Sequence, residues 1–330
     1  DQEKTYLKNR AEGFGIFIAA ATLVSPEGKT FYGQPDASSP DSLASLKETA
    51  DIIKSQDALA ILQIHHGGRD AIKDIVPDGK TYAPSDDAKS GAKAMSAEHV
   101  EKVIQAFADT TTLAIKAGFD GVEIHGANGF LLQQFYSGDT NRRNDKWGGS
   151  LEKRMAFPLA VTDACTAARE KAGKNDFIIG YRFSPEEPAE EGITMKETYA
   201  LIDALAEKPL QYLHVSLWNF YNKVRRGDDT SKTRMELIHR RLAGRLPLIG
   251  VGNLLTADDL LKAFETGFAE FVACGKSAML NPGVAKYIEE GRESDIVTVL
   301  DPAKPDHYGL PDRLWKMCLK GASWLPSLKN

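Results

Sequence analysis

The stretch Gly121-Val122-Glu123-Ile124-His125-Gly126-Ala127-Asn128-Gly129-Phe130-Leu131-Leu132-Gln133-Gln134-Phe135 continues through Asn141-Arg142-Arg143-Asn144-Asp145-Lys146-Trp147-Gly148-Gly149-Ser150 and decides how this chain is read. It opens as a short apolar strand over 121–124. It then breaks into a turn that carries His125 and Asn128. A long polar loop is expected next, followed by a helix from about Ser150. Two neutral hydrogen-bonding side chains three residues apart at a strand end can converge on one substrate oxygen. Barrel enzymes of the α/β class place their chemistry at such strand ends, and preorganised donors there stabilise developing charge.

The same alternation extends in both directions. Strands are expected at 14–19, 59–64, 121–125, 177–182, 212–215, 248–251 and 271–274. Helices are expected at 40–55, 96–117, 150–172, 194–207, 234–245, 256–266 and 281–291. Ser96 and Thr256 are the expected N-caps of their helices, and Glu98 sits in a first turn, where a negative charge meets the helix dipole. Near-continuous apolar strands separated by helices imply a parallel sheet covered by helices. Residues 74–87, rich in Pro, Gly and Asp, read as an excursion. No linker divides the chain, so 1–330 reads as one domain. The strands number seven, whereas a closed barrel of this type has eight.

Composition narrows the function. The chain has 330 residues, 42% of them hydrophobic, enough for a large core. A net charge of -5 without a basic stripe argues against nucleic acid. No run approaches the about 18 apolar residues of a membrane span, and no signal peptide is visible. Cys165, Cys274 and Cys318 are scattered and odd in number, which gives neither a metal pattern nor a disulfide framework and suits a reducing cytoplasm. The expected partner is a small molecule, with self-association left open.

Residues 122–157 resemble the Old Yellow Enzyme family of FMN-dependent ene-reductases. Two further segments share the likeness: Leu62-Gln63-Ile64-His65-His66-Gly67-Gly68-Arg69, and Val24-Ser25-Pro26-Glu27-Gly28 with Gly33-Gln34-Pro35. The resemblance covers nearly the whole chain. It implies a TIM-type (β/α)8 barrel whose first strand, a source of flavin contacts in the family, lies before Thr5 and is missing from these residues. It also implies FMN as cofactor and NADH or NADPH as electron donor. The substrates would be electron-poor: activated alkenes, quinones and nitro compounds. Family members with an iron–sulfur cluster need a cysteine cluster that this chain lacks.

Each candidate residue also has a plainer reading. His125 and Asn128 would donate to a substrate oxygen; otherwise they are turn residues. Phe130 stands where the family commonly has Tyr, whose hydroxyl protonates the substrate carbon; Phe has no such proton. His65 would line the pocket, or belong only to its Gly-Gly loop. Gln63, a polar amide in a buried strand, needs a partner. The resemblance assigns it to the pyrimidine edge of flavin, where an amide can donate and accept at once; a capping contact to a loop is the alternative. Arg182 ends a strand and would stabilise negative charge on reduced flavin, or pair with Glu186, Glu187 or Glu190. Gly252 and Asn253, with Gly275 and Lys276, end the last two strands, where loops of such barrels hold phosphate. Ala21 would let the flavin ring lie flat, and Trp218 would roof the pocket. No metal site is expected. A phosphate-binding barrel lyase and a degenerate, non-catalytic barrel are the rival functions.

Overall fold

The apolar runs pair in parallel in the order in which they occur. The computed structural model describes residues 2–329. Its main sheet is built from β1 (Ile16–Ile18), β2 (Thr22–Leu23), β3 (Leu59–His65), β6 (Gly121–Gly126), β7 (Ile178–Phe183), β8 (Tyr212–Val215), β9 (Leu248–Val251) and β10 (Phe271–Ala273). The order is β1-β3-β6-β7-β8-β9-β10, with β2 also pairing β3. β1 is the strand expected over 14–19, and β2 follows it after a break at Ala19 to Ala21. The sheet therefore has seven positions, as the sequence implies, and β1 and β10 do not pair with each other. β4 (Tyr82–Ala83) and β5 (Lys93–Ala94) form a separate ribbon within the excursion after β3.

Helices return the chain between strands: α2 (Leu43–Lys54), α3 (Ala97–Ala117), α5 (Leu151–Lys171), α6 (Met195–Ala206), α7 (Arg234–Leu242) and α8 (Ala257–Glu265), after a short α1 (Gln2–Leu7). The expected caps hold: Ser96 Oγ accepts from the His99 amide at 3.1 Å, and Thr256 Oγ1 from the Asp259 amide at 3.1 Å. α3 stops at Gly118, whose φ of 84° suits glycine. Along β6, Val122 and Ile124 join the core beneath the helices. Side chains alternate along a strand, so Glu123 and His125 face the opposite side.

Two expectations are corrected. The stretch after Asn128 is not all polar loop, because α4 (Leu131–Tyr136) forms there with all six residues buried. Leu131, Leu132 and Phe135 are each 0% exposed. Burying such side chains contributes roughly 1.5–3 kcal/mol apiece, enough to override the polar look of Gln133 and Gln134. The helix expected over 281–291 is the shorter α10 (Val284–Glu289), starting after Gly283 at a φ of 74°, and a separate short α9 (Lys276–Leu280) precedes it.

The C-terminal residues add α11 (Pro305–Tyr308) and α12 (Asp312–Leu319) around a small second core of Leu280, Leu300, Tyr308, Cys318 and Leu325. The N-terminal segment is tied to it: Arg10 donates to the Tyr308 carbonyl, Lys286 pairs with Glu12 at 2.8 Å, and the Asp312 amide donates to Gln2 at 3.1 Å. The segments before β1 and after β10 are thus brought together. No helix among the described residues is long and apolar enough to cross a membrane.

Candidate active site

Strand register gathers the polar residues into rows. Gln63 lies opposite Glu123, His125 opposite Arg182, and Arg182 opposite His214. The deeper row centres on Glu123, which is 0% exposed. Its carboxylate accepts from Gln63 Nε2 at 2.7 Å, His214 Nδ1 at 2.9 Å and the Tyr212 hydroxyl at 3.0 Å. Burial alone would push the Glu123 carboxyl up. The hydrogen bonds from His214 and Gln63 and the positive charge of Arg182 outweigh it and hold the group ionised. Tyr212 reaches Glu123 across residue 180, where only glycine fits: a Cβ there would lie 2.1 Å from Tyr212 Cζ.

His214 is held below its ordinary pKa, by burial first and despite the pull of Glu123. It is neutral, with its proton on Nδ1 toward the carboxylate, which leaves Nε2 buried without a partner. Arg182 Nε is likewise buried and unpartnered, while Nη2 donates to Ser216 Oγ at 3.1 Å. Arg182 does not pair with Glu186, whose carboxylate takes Arg234 and the amides of Arg225 and Arg226. Its charge is offset by Glu123.

The upper row carries His125, Asn128, His65 and Phe130. His125 is 5% exposed, and its pKa is driven well below the ordinary value by burial, then by the nearby His65 and Arg182. Its Nδ1 accepts from the Ala127 amide at 3.3 Å, so the neutral ring carries its proton on a free Nε2. Asn128 takes a φ of 60°, which Asn tolerates better than most residues. Its amide nitrogen donates to Ser216 Oγ at 3.1 Å, and its backbone N–H to Ser184 Oγ at 2.9 Å. His65 packs edge-on against His125 at 5.1 Å and against Phe130 at 4.5 Å, and Phe130 lies 5.2 Å from His125. Burial, then His66, brings His65 down to about 3, so it too is neutral. The ring of Phe130 fills the place between two imidazoles and offers no proton.

The remaining candidates are more spread. Ala21 is half-buried at the break between β1 and β2, where its carbonyl accepts from Gln34 Nε2 at 3.0 Å. Gly252 has a local structural reason to be glycine: a Cβ there would meet the Phe220 nitrogen at 2.5 Å, and its carbonyl accepts the Phe220 amide at 3.0 Å. Asn253 follows, exposed, with φ 54°. Gly275 has open space around its Cβ direction and precedes α9; Lys276 reaches the Ser323 carbonyl at 3.4 Å. Trp218 is 65% exposed and packs against none of the other site residues through its ring.

The unpaired atoms fit the polar edge of a flavin. With one Nε2–H given to Glu123, the Gln63 amide keeps its Oε1 acceptor and its second N–H, and Arg182 supplies a buried donor, Nε, nearby. Glu123, Tyr212, His214 and Ser216 escaped the sequence reading. Period-two alternation in β6 puts residue 123 on the strand face of His125 but does not name its partners on β3 and β8.

Residues 1–295 match the model of a family described as NADH:flavin oxidoreductase / NADH oxidase. A probable NADH-dependent flavin oxidoreductase, YqiG, of Bacillus subtilis is 44% identical over 99% of this chain and 88% of its own length. The NADH:acrylate oxidoreductase of Vibrio harveyi is 36% identical over 94% of this chain, which spans only 32% of that enzyme. Among solved structures, a 2-naphthoyl-CoA reductase complex aligns with a TM-score of 0.78 and 25% identity, over 90% of this chain and 48% of its own.

Proposed function

The chain belongs to the NADH:flavin oxidoreductase / NADH oxidase family, and from that premise we propose that it is an FMN-dependent, NADH-oxidising reductase of electron-poor substrates: activated alkenes, quinones and nitro compounds. Bound FMN supplies the redox chemistry, taking a hydride from the nicotinamide and giving one to the substrate. The chain supplies position and electrostatics. Gln63 and Arg182 hold the polar edge of the ring, with Arg182 balancing negative charge. The last two strand ends, through Gly252, Asn253, Gly275 and Lys276, hold the phosphate. Ala21 lies against the ring, and Trp218 covers the mouth. His125 and Asn128 bind the substrate oxygen, and His65 and Phe130 wall the pocket. Residues 1–330 act as one domain, and the three free cysteines suit a cytoplasmic setting.

The observation that carries this reading is the neutral, buried His125 with its free Nε2–H, beside Arg182 and one row above the Gln63–Glu123 pair. A neutral donor polarises a substrate oxygen without giving up its proton, and water exclusion strengthens the effect. Because Phe130 has no proton to give, the preferred substrates are those whose reduced atoms take protons from water, quinones above simple enones. Chromatography of the flavin released by acid, with turnover of NADH against menadione and cyclohexenone, tests the proposal. FMN and faster menadione turnover are expected; FAD, or no flavin after reconstitution, would overturn it.

A further inference from the structure

Resting on the flavin reading above, we infer that Glu123 is a positioning residue that dictates which end of the Gln63 amide meets the cofactor. An ionised carboxylate only accepts hydrogen bonds. The Gln63 atom 2.7 Å from Glu123 Oε1 is therefore the amide nitrogen. Oε2 is occupied by Tyr212 at 3.0 Å and His214 at 2.9 Å, so Glu123 is pinned from two further strand positions. Tyr212 and His214 both belong to β8, and Gly180 of β7 leaves the room for the tyrosine ring. Gln63 cannot rotate its amide without setting oxygen against oxygen at full burial.

The consequence is a fixed polarity at the mouth of the barrel. Gln63 presents its oxygen, with the amide nitrogen held on the Glu123 side, and Arg182 presents donors. The pyrimidine edge of an oxidised flavin offers the complement: an imide N–H beside a carbonyl and a ring nitrogen. Glu123 also places one fixed negative charge a row deeper than Arg182. That charge opposes the build-up of negative charge on the reduced ring, so it holds the reduction potential down.

The test uses the protein reconstituted with FMN. Glu123→Gln keeps the shape and removes the charge. The new amide must turn its oxygen to Tyr212 and His214 and its nitrogen to Gln63, which then flips and shows N–H to N–H at the imide. Exchanging one buried hydrogen bond for two facing donors is expected to weaken FMN binding about 30-fold. The variant should also lose wild-type discrimination against 3-methyl-FMN, and its potential should rise. Combining Gln63→Glu with Glu123→Gln restores an outward acceptor and is expected to return affinity to within about tenfold of wild type. Circular dichroism melts establish that each variant folds; if the single variant does not, the combined one carries the test. Wild-type affinity and potential in Glu123→Gln, or a combined variant that binds FMN no better than about 30-fold below wild type, overturns the inference alone. A wild type that takes up no FMN overturns the flavin reading and the inference together.

Discussion

Phe130→Tyr is expected to convert a poor enone reductase into a competent one. Reduction of a carbon–carbon double bond needs a hydride at one carbon and a proton at the other. The Phe130 ring stands edge-on to His65 at 4.5 Å and to His125 at 5.2 Å, with interplanar angles of 87° and 85°. Tyrosine keeps that ring and its edge-on contacts, adding one hydroxyl. The position is only half-buried, so the hydroxyl remains open to hydration and stability should change by under about 1 kcal/mol. A positioned acid contributes about 100- to 10,000-fold to a protonation step. We expect the lower end, about 100-fold, which is near 2.7 kcal/mol of barrier. His65 and His125 are neutral and place no charge beside the new phenol. Menadione turnover should move less than about twofold, because its oxygens take protons from water. The assay is anaerobic stopped-flow reoxidation of the reduced protein by cyclohexenone and by menadione, in wild type and variant. If wild type already reduces cyclohexenone as fast as menadione, another group donates the proton and the reasoning about Phe130 is wrong.

His125→Ala should slow reoxidation by an enone about 100-fold, and Asn128→Ala comparably, with weaker binding of phenolic ligands read from the flavin spectrum; unchanged constants in both would reduce them to turn residues. Gly180→Ala should destabilise the protein by roughly 1–3 kcal/mol in a urea melt through overpacking against Tyr212, and a neutral result would show that the ring has another place to go. Stability should fall as pH drops from 6.5 toward 3: His65, held at about 3 when folded, leaves the unfolded chain with more bound protons across that window. Glu27 acts in the same sense below its ordinary 4.5, since His66 and His99 outweigh the upward push of burial on its carboxyl. Equal denaturation midpoints at pH 7 and pH 4 would contradict this linkage.

Much of the fold was legible because the strands are apolar, short and separated by capped helices. Ser96 and Thr256 announce α3 and α8, and the parallel order follows from the alternation. α4 was not legible, since its two glutamines look like solvent-facing polarity. Their amides are in fact spent inside: Gln133 Oε1 accepts the Gly129 amide at 2.9 Å, and Gln134 Oε1 accepts the Arg69 amide at 3.0 Å. In the site, the strand-end residues His65, His125 and Arg182 were readable because each stands at a strand terminus. Glu123 was not, because its donors come from β3 and β8, and no local pattern announces a partner 60 or 91 positions away. Gly252 shows the reverse case. The sequence suggested a phosphate turn, and the structure adds a close backbone approach to Phe220 that by itself demands glycine.

Two half-reactions followed in one anaerobic experiment test the flavin chemistry most directly. FMN-loaded protein is mixed with one equivalent of NADH, and the flavin absorbance is followed; menadione is then added. NADH is expected to bleach the flavin and menadione to restore it, with His125→Ala bleached normally but restored slowly. Flavin that NADH does not bleach, or a His125→Ala variant restored as fast as wild type, would contradict it.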